Sequence, residues 1–417
     1  MPTIVLRNAT LIDGTGNDPT TNASVVIEEG NITAVGRSVD VSVPDGARVY
    51  ELDGRTIMPG LMDAHVHFGL VDLSISAAQR ESLAVWAMKV REVIEDTLDM
   101  GFTTVRDAGG IDGGFAQAVE MGLFRGPRIL PSGSPITQTG GHGDWRQRYQ
   151  DVAPPIIPGL VAMPAICDGA DAVRKAAREQ FRVGATQIKV MASGGAMSPV
   201  DELETTQLST EEIGAAVHEA SAIGRIVMAH TYSAQSITIA VEAGVKSIEH
   251  GNFLDERSAA LMAQKGAFLV PTMVTYEMID RFGAQYNVPE FNLQKIRRAK
   301  EGAVESIKIA LEAGVKIGSG SDLLAQMQPF KATELSLKAA VMGQMAAIVS
   351  ATRTNAELFD LQDRTGTIEQ GKWADVIVVE GDPLTDTDCL QDKDNVKLVL
   401  KHGAIAKDVL SNQSNRL

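Results

Sequence analysis

The sequence lacks several features that would define other classes of protein. It has two cysteines in 417 residues. These residues, Cys167 and Cys389, cannot form the disulfide framework of a small secreted domain, and neither belongs to a ligand-like cluster. Lys and Arg are outnumbered by Asp and Glu, 38 to 53, which gives a net charge of −15. A phosphate backbone requires a basic protein face, so we expect no nucleic-acid partner.

Long hydrophobic runs are also missing. No stretch is apolar over the length that a membrane span requires, so we expect no membrane partner. Residues 1–8 lack the basic region, the apolar core and the cleavage site of a secretory signal, which predicts a cytoplasmic protein. The hydrophobic content of 44% is nevertheless sufficient for one large domain and one small domain.

Both ends of the chain contain short β-type runs that are separated by Gly and Asn turn signals. Near the C-terminus, the runs are 374–379 and 396–400. Neither end alone has enough strands to bury a face. We therefore predict that residues 1–60 and 356–417 fold together into one small antiparallel β-domain.

Residues 61–355 alternate short apolar runs with longer helical patterns, which is typical of a parallel sheet covered by helices. The eight runs are 60–67, 103–106, 128–131, 187–191, 226–230, 247–250, 268–271 and 316–319. Eight strand–helix units predict an α/β fold in which the strands form a (β/α)8 TIM barrel, with the chemistry at their carboxyl ends. A doubly wound open sheet is the alternative, but it does not explain why the polar ligand-type residues fall at those ends.

Two long segments on that face are predicted to be loops that act as lids. The first, 132–168, contains Gly140-Gly141-His142-Gly143-Asp144 and a cluster of prolines. The second, 273–292, carries several aromatic residues. Long loops in a compact domain are either functional lids or linkers, and this composition favours lids.

The clearest chemical signal is His65-Val66-His67 at the end of the first barrel strand. Side chains two residues apart on a strand point the same way, so the two imidazoles are close enough to share a cation. Such a pair alone is also compatible with two exposed strand histidines. Four more ligand-type residues end later apolar runs, and these are Lys189, His230, His250 and Asp322. Neutral imidazoles are good ligands for Zn²⁺ and related metals.

Two of these residues have alternative interpretations from residue type alone. Asp322 follows Gly318-Ser319-Gly320-Ser321, where small residues let the backbone approach a crowded site. Its carboxylate could cap a helix or accept a proton from an attacking water. Lys189 lies in an apolar strand, where an isolated charge is costly. It could pair with an acid such as Asp322, or lose its proton and add carbon dioxide to become a carbamate that bridges two cations.

Together, these residues resemble the amidohydrolase superfamily of binuclear metal hydrolases. The resemblance begins at Pro59-Gly60-Leu61-Met62-Asp63-Ala64-His65-Val66-His67 and includes the four later ligand-type residues. Residues 8–14 and 371–379 are similar to the flanking β-sandwich of that family. The sequence is most similar to prolidase-like and Xaa-Arg dipeptidase-like members, through Gly-Gly-His-Gly at His142 and His-Thr-Tyr at 230–232.

The resemblance implies two divalent metal ions, expected to be Zn²⁺. His65, His67 and Asp322 would hold one ion and His230 and His250 the other. Lys189, as a carboxylated lysine, would bridge them. A hydroxide shared by the metals would attack the amide bond of a dipeptide or N-acyl amino acid, such as Xaa-Pro, with Asp322 as general base and acid. The family also implies a homo-oligomer.

The substrate carboxylate would need hydrogen-bond donors. His142 and Tyr232 are the first candidates by resemblance, because the matching residues contact the carbonyl oxygen or the terminal carboxylate of the substrate. Their alternative roles are a loop residue and a rim aromatic. Arg146 and Arg148 rank lower, since loop arginines are usually solvated.

Other functions remain open for the same barrel. Lactonases, cyclic amidases and phosphotriesterase-like hydrolases are not excluded, whereas Lys189 argues against mononuclear deaminases, which lack the bridging lysine. A non-catalytic assembly protein is a more remote alternative, because such relatives usually lack ligands that are all present here.

Overall fold

The computed structural model describes residues 2–73, 81–146, 149, 163–198 and 201–411. Within these residues, the chain has a mixed α/β fold with three β-sheets. The strands are β1 (Ile4–Leu11), β2 (Thr20–Glu28), β3 (Asn31–Arg37), β4 (Arg48–Glu51), β5 (Thr56–Pro59), β6 (Leu61–Val66), β7 (Phe102–Asp107), β8 (Arg128–Pro131), β9 (Ile136–Thr137), β10 (Ala165–Ile166), β11 (Ile188–Met191), β12 (Val227–Ser233), β13 (Ser247–Phe253), β14 (Phe268–Val270), β15 (Lys316–Ile317), β16 (Val376–Val379), β17 (Val396–Lys401) and β18 (Ala404–Asp408).

The helices follow the strands that they cover. They are α1 (Leu83–Asp99), α2 (Gly113–Glu120), α3 (Ala170–Arg182), α4 (Thr210–Ser221), α5 (Ala234–Glu242), α6 (Glu256–Lys265), α7 (Met273–Phe282), α8 (Glu290–Glu312), α9 (Thr333–Met342), α10 (Gln344–Ser350) and α11 (Arg353–Leu358). The start of α4 is fixed by a reciprocal cap between Ser209 and Glu212, and α6 ends at Gly266 with a left-handed φ of 62°. None of the helices in the described segments is long and apolar enough to cross a membrane.

Strands from both ends of the chain form one sheet with the order β18-β17-β16-β5-β1-β2-β3, and β4 also pairs with β1. The sheet is mixed, because β1 runs parallel to both β4 and β5 while its partner β2 is antiparallel. The expectation of a purely antiparallel sheet is therefore wrong. Strand β1 continues through Asn8, which has a left-handed φ of 56°, and the register of its pairing with β2 shifts there.

The other two sheets are parallel and contain all eight strands that the sequence predicts for a barrel. One sheet has the order β10-β9-β11-β12-β13-β14-β15 and the other has the order β6-β7-β8. The two-residue strands β9 and β10 were not predicted. Among the described strands, the two ladders do not close into one ring. Single backbone hydrogen bonds connect the sheets, including Ala64 N to Ser319 O at 2.8 Å and Thr186 N to Pro131 O at 2.8 Å.

The two segments that were predicted to be loops contain regular secondary structure. Residues 273–292 are mostly helical, since they contain α7, a short 3₁₀ turn at Gly283–Tyr286 and the start of α8. The prediction of an irregular loop there is wrong. The apolar residues of α7 pack inward at helical spacing, including Met273, Tyr276 and Ile279. In the segment 132–168, residues 147, 148 and 150–162 lie outside the described part, which includes β9 and β10.

Candidate active site

Five histidines lie in a row at the carboxyl ends of the parallel strands. The ring centroids are 5.2 Å apart for His67 and His65, 5.1 Å for His65 and His250, 4.5 Å for His250 and His230, and 4.3 Å for His230 and His142. His65 and His67 lie at the end of β6, His230 and His250 lie in the middle of β12 and β13, and His142 comes from the Gly-rich loop after β9. The structure therefore brings together all the histidines that the sequence singles out.

Asp322 lies against one end of this row. Its Oδ1 is 3.1 Å from Nε2 of His67 and 3.4 Å from Nε2 of His65, and its Oδ2 is 3.9 Å from Nδ1 of His250. The backbone holds it there, because Asp322 N donates to His65 O at 2.7 Å. Gly320 allows this approach, since a Cβ atom at that position would lie 2.7 Å from Cβ of His65.

Four of these histidines have one ring nitrogen engaged by a protein oxygen. The pairs are His65 Nδ1 with Glu249 Oε2 at 2.7 Å, His67 Nδ1 with Gly109 O at 2.6 Å, His230 Nε2 with Gly194 O at 3.1 Å, and His250 Nδ1 with Thr272 Oγ1 at 2.8 Å. Such contacts fix the ring orientation and leave the other nitrogen for a ligand. This is the usual arrangement around metal-binding histidines.

The donor set fits divalent cations. His67 must donate Nδ1–H to the carbonyl of Gly109, so a neutral ring presents the lone pair of Nε2 to the Asp322 carboxylate. Two acceptors 3.1 Å apart need a proton or a cation between them. Ligand atoms of His65, His250 and Asp322 also lie within 4.8 Å of one another. This grouping includes His250, which the resemblance assigns to the second ion.

The electrostatics of the row favour ligation. Burial lowers the pKa of His65 and His230 well below the usual histidine value, and it lowers the pKa of His250 to about 3. These rings are therefore neutral at neutral pH, which is the form that binds metals. Burial opposes ionisation of Asp322 too, but the adjacent His65 and His67 hold its pKa well below the usual range.

Lys189 completes this end of the site from β11. It is 1% exposed, and its Nζ lies 3.3 Å from Nε2 of His65. Burial lowers the pKa of Lys189 to about 8, so a substantial neutral fraction exists near physiological pH. An ion pair between Lys189 and Asp322 was the alternative that residue type allowed. The described ion pairs of Asp322 are with histidines and do not include Lys189.

A charged pair that the sequence analysis missed lies behind His65. Glu249 is fully buried, accepts from His65 through Oε2, and receives Arg106 Nη2 on Oε1 at 2.8 Å. Neighbours on a strand normally face opposite ways. Here the left-handed φ of His250, 71°, turns it toward the same centre as Glu249. The available signal was a carboxylate directly before His250, inside the predicted strand 247–250.

The His142 loop is held by side chains outside the row. His142 N donates to Gln207 Oε1 at 2.7 Å, and Gln207 Nε2 donates to Asp201 Oδ2 at 2.8 Å. Gly195 makes room for the ring, since a Cβ atom there would lie 2.0 Å from Nδ1 of His142. That nitrogen is buried and has no partner among the described residues. Burial lowers the pKa of His142 to about 4, so the ring is neutral.

Tyr232 stands at the end of β12, two residues after His230. It is 3% exposed and stacks on His250 with a centroid distance of 5.4 Å. Its hydroxyl is 3.2 Å from that of Tyr276, which also lies 3.1 Å from Asn252 Oδ1. Burial raises the pKa of Tyr232 above its usual value, so it remains a hydroxyl donor.

The histidine row, Asp322, Lys189 and Tyr232 line one pocket. Its remaining wall is mainly apolar and includes Leu70, Trp145, Met191, Met197, Ile279 and Ile296. Arg146 does not contact this pocket wall, because its guanidinium group pairs with Asp144 at 2.8 and 2.5 Å. Arg148 lies outside the described residues.

The sequence profile of the family described as "Amidohydrolase family" matches residues 56–406. The chain belongs to the amidohydrolase family. The predicted resemblance is confirmed, and the matched residues include all five histidines of the row. Ochratoxinase from Aspergillus niger is 33% identical over 95% of this chain and 85% of its own length.

Solved amidohydrolase structures agree with this relationship. A prolidase complexed with N-methylphosphonate-L-proline is 40% identical, with a TM-score of 0.92 over 97% of this chain and 100% of the other. A Xaa-Pro dipeptidase with methionine bound in its active site is 31% identical, with a TM-score of 0.88 over 97% and 99% of the two chains. The protein is therefore a hydrolase that acts on amide bonds, and the alternative of a non-catalytic assembly protein is set aside.

Proposed function

We propose that this amidohydrolase cleaves the amide bond of dipeptides or N-acyl amino acids that end in a free carboxylate, with proline or a similar residue at that end. The observation that carries the proposal is that Asp322 and the histidine row, which includes the neutral donor His142, line the same mainly apolar pocket as the hydroxyl donor Tyr232. Prolidase and Xaa-Pro dipeptidase relatives support this substrate class.

Two divalent cations, expected to be Zn²⁺, would complete the site. His65, His67 and Asp322 would hold one, His230 and His250 the other, and Lys189 would bridge them as a carbamate. The low pKa of Lys189 supports the carbamate, because carbon dioxide adds to a neutral amine. Bound cations of this kind supply Lewis acidity, which activates water and polarises a carbonyl.

Asp322 is the proposed proton carrier. Its depressed pKa keeps it ionised, so it can accept a proton from the attacking water. It then returns that proton to the amine that leaves as the tetrahedral intermediate collapses. The position of the carboxylate supports this role, because it faces the row and is partly exposed to the pocket, with 20% of the side chain accessible.

His142 and Tyr232 are proposed to hold the substrate. With a pKa of about 4, His142 donates a ring N–H without a positive charge. The hydroxyl of Tyr232 supplies a second donor, and donors of this kind offset the desolvation of a carbonyl oxygen or a terminal carboxylate. The apolar wall excludes water from the scissile bond.

We also propose the larger architecture that these sheets would form. Residues 61–355 would be one closed (β/α)8 barrel, which the bonds between the two parallel sheets support. Residues 1–60 and 356–417 would form the small β-sandwich domain, supported by their common sheet. A cytoplasmic homo-oligomer remains our proposal from the family resemblance.

The substrate class can be tested with a matched pair, N-propionyl-proline and alanyl-proline, which differ only by an α-amine. Zn²⁺-loaded protein should release proline from both, and Asp322→Asn and chelator-treated protein should not. Among the described pocket residues, Asp322 is the only carboxylate. An α-ammonium therefore lacks a separate partner, and we expect the propionyl compound to have the higher kcat/KM.

Other outcomes are equally informative. A higher kcat/KM for alanyl-proline would make the enzyme a dipeptidase in the strict sense. Failure to release proline from either compound, or any other amino acid from a library of N-acyl amino acids and dipeptides, would overturn the proposal. Lactones, cyclic amides and phosphotriesters would then be tested with the same metal-loaded protein.

A further inference from the structure

Thr272 has an unfavourable backbone conformation directly beside the histidine row. Its φ and ψ angles are 50° and 45°, which lie in the left-handed region. Among the residues that the structure describes, it is the one β-branched residue with a left-handed φ. A branched Cβ makes this conformation especially costly. Such strain persists only where the surrounding contacts fix it, and it is concentrated at functional sites.

The strained residue lies where two neighbouring strands stop pairing. The ladder between β13 and β14 ends at Glu249 and Val270. Just beyond it, His250 and Thr272 both turn left-handed, with φ values of 71° and 50°. Thr272 is fully buried, and its Oγ1 lies 2.8 Å from Nδ1 of His250. Two unfavourable backbone conformations therefore accompany one hydrogen bond between side chains.

The hydroxyl of Thr272 does not cap the helix that follows it. Thr272 directly precedes α7, and a threonine at this position usually accepts from the N–H of the second or third helical residue. Its side chain makes no such bond within the described residues. Instead, the buried Glu334 of α9 accepts from Val274 N at 2.8 Å. Because Glu334 caps α7, the hydroxyl of Thr272 remains available to His250.

The bond to Thr272 decides which nitrogen of His250 can bind a cation. A neutral imidazole carries one N–H. If Nδ1 donates to Oγ1 of Thr272, the lone pair of Nε2 is free for a cation. If Nδ1 accepts instead, Nε2 carries the hydrogen and cannot be a ligand. Thr272 is not among the described residues that line the catalytic pocket, so it acts through His250 and does not contact a substrate.

We propose that Thr272 is a positioning residue for His250, and that its strained backbone is retained because it places the hydroxyl where Nδ1–H of His250 can donate to it. The inference rests on the two-cation site proposed above, in which His250 is a ligand. The hydroxyl then strengthens cation binding, while the left-handed backbone lowers the stability of the metal-free protein. The two effects can be measured separately, because they depend on different atoms of the same side chain.

The hydroxyl is tested with Thr272→Val, which keeps the branched shape. The Kd of Zn²⁺ would be measured by competition with a chelating indicator. We expect Thr272→Val to raise the Kd of one of two ions by about 10- to 100-fold, the scale for residues that orient metal ligands. Thr272→Ser keeps the hydroxyl and should retain most of the affinity. Thr97→Val is the matched control, since Thr97 is also buried but donates to Val93 O within α1.

The strain is tested with Thr272→Ala and Thr272→Gly, which both lack the hydroxyl and the methyl group. Only alanine has the Cβ atom that disfavours a left-handed φ. Metal-free Thr272→Gly should therefore have a Tm roughly 1 to 3 °C above that of Thr272→Ala. Both should bind Zn²⁺ as weakly as Thr272→Val. If Thr272→Val does not fold, Thr272→Ala and Thr272→Ser test the hydroxyl, because these side chains differ by one oxygen atom.

The outcomes separate this inference from the proposed function. Equal Zn²⁺ affinities in the wild type and Thr272→Val, or equal losses in Thr272→Val and Thr272→Ser, would overturn the positioning role. Equal Tm values for Thr272→Ala and Thr272→Gly would overturn the strain. Neither measurement requires turnover. If the expected differences are found but no amide substrate is cleaved, the proposed substrate class fails while the role of Thr272 stands.

Discussion

The two ends of the histidine row are supported in different ways. Near one end, beside the terminal His67, His65 is part of β6, and its Nδ1 is bonded to Glu249, whose other oxygen accepts from Arg106. At the other end, His142 is carried by a loop, and its buried Nδ1 has no partner within the part of the chain that the structure describes. The first end is a fixed, charged network that is ready to orient a cation. At the second end, the neutral His142 ring and the Tyr232 hydroxyl line the pocket, where we propose that they hold the substrate.

The difference has an energetic reason. A cation site must fix several ligands before binding, and buried carboxylates provide that at the cost of desolvation. A substrate site must release its product, so donors that are neutral and only partly engaged are better suited. Mutations at the His65 end should therefore act on metal content and turnover, while those at the His142 end should act mainly on KM.

The largest expected effect is from Lys189→Ala. Loss of the proposed bridging group should lower kcat by at least roughly 10³-fold, as for other groups that act on the transition state. Short carboxylates such as propionate should restore part of the activity, because they fit the space and charge of the missing carbamate. Metal content and kcat would be measured with and without propionate.

The matched control for this experiment is Lys338→Ala. Lys338 is also a fully buried lysine, but it donates to Gly318 O and Ser350 Oγ rather than facing the row. Any loss of activity there should not respond to propionate. If Lys189→Ala retained wild-type kcat with two metals bound, the bridging role would be excluded.

The next largest effect is expected from Glu249→Gln. The amide preserves the shape but removes the negative charge that faces His65 and Arg106, so metal affinity should fall by about 10- to 100-fold. Competition with a chelating indicator would measure it. Glu256→Gln, in the exposed first turn of α6, is the control. An unchanged metal Kd in Glu249→Gln would mean that the carboxylate serves folding alone.

Much of the barrel region could be predicted from the sequence because its signals are local. Apolar runs that alternate with helical periods define all eight strands, and buried parallel strands need such runs. The mixed terminal sheet could not be predicted in detail, because pairing of β1 with β4 and β5 joins distant segments without a local signal. Residues 273–292 were mispredicted because their aromatic content resembled that of a lid, whereas Met273, Tyr276 and Ile279 belong to the buried face of a helix.

The candidate site, like the fold, could be predicted only in part from the sequence. Ligand-type residues at strand ends identified His65, Lys189 and Asp322, since a polar residue that ends an apolar run is unusual. The residues that hold these side chains in position were harder to predict from the sequence. Glu249 required the positive φ of His250 to reach the same centre, and the contact between Gly195 and His142 depends on two distant loops.

At the substrate end, Tyr232→Phe removes one donor from a pocket that is otherwise unchanged. We expect KM for substrates with a free carboxylate to rise roughly tenfold, the scale of one hydrogen bond to a charged group. KM for the corresponding neutral amides or esters should change much less. Because Tyr276 also contacts this hydroxyl, Tyr276→Phe is the control for a general disturbance of packing. Equal losses on both substrate types would remove Tyr232 from the carboxylate role.

The smallest effect is expected from Arg146→Ala, although Arg146 belongs to the same loop as His142. Its guanidinium group is already paired with Asp144, and the pair is partly exposed, so its removal should change KM by less than about threefold. Asp144 would retain its bond from Gly140 N at 2.9 Å, which keeps the loop in place. A tenfold rise in KM confined to carboxylate substrates would instead show that Arg146 leaves Asp144 to bind the substrate.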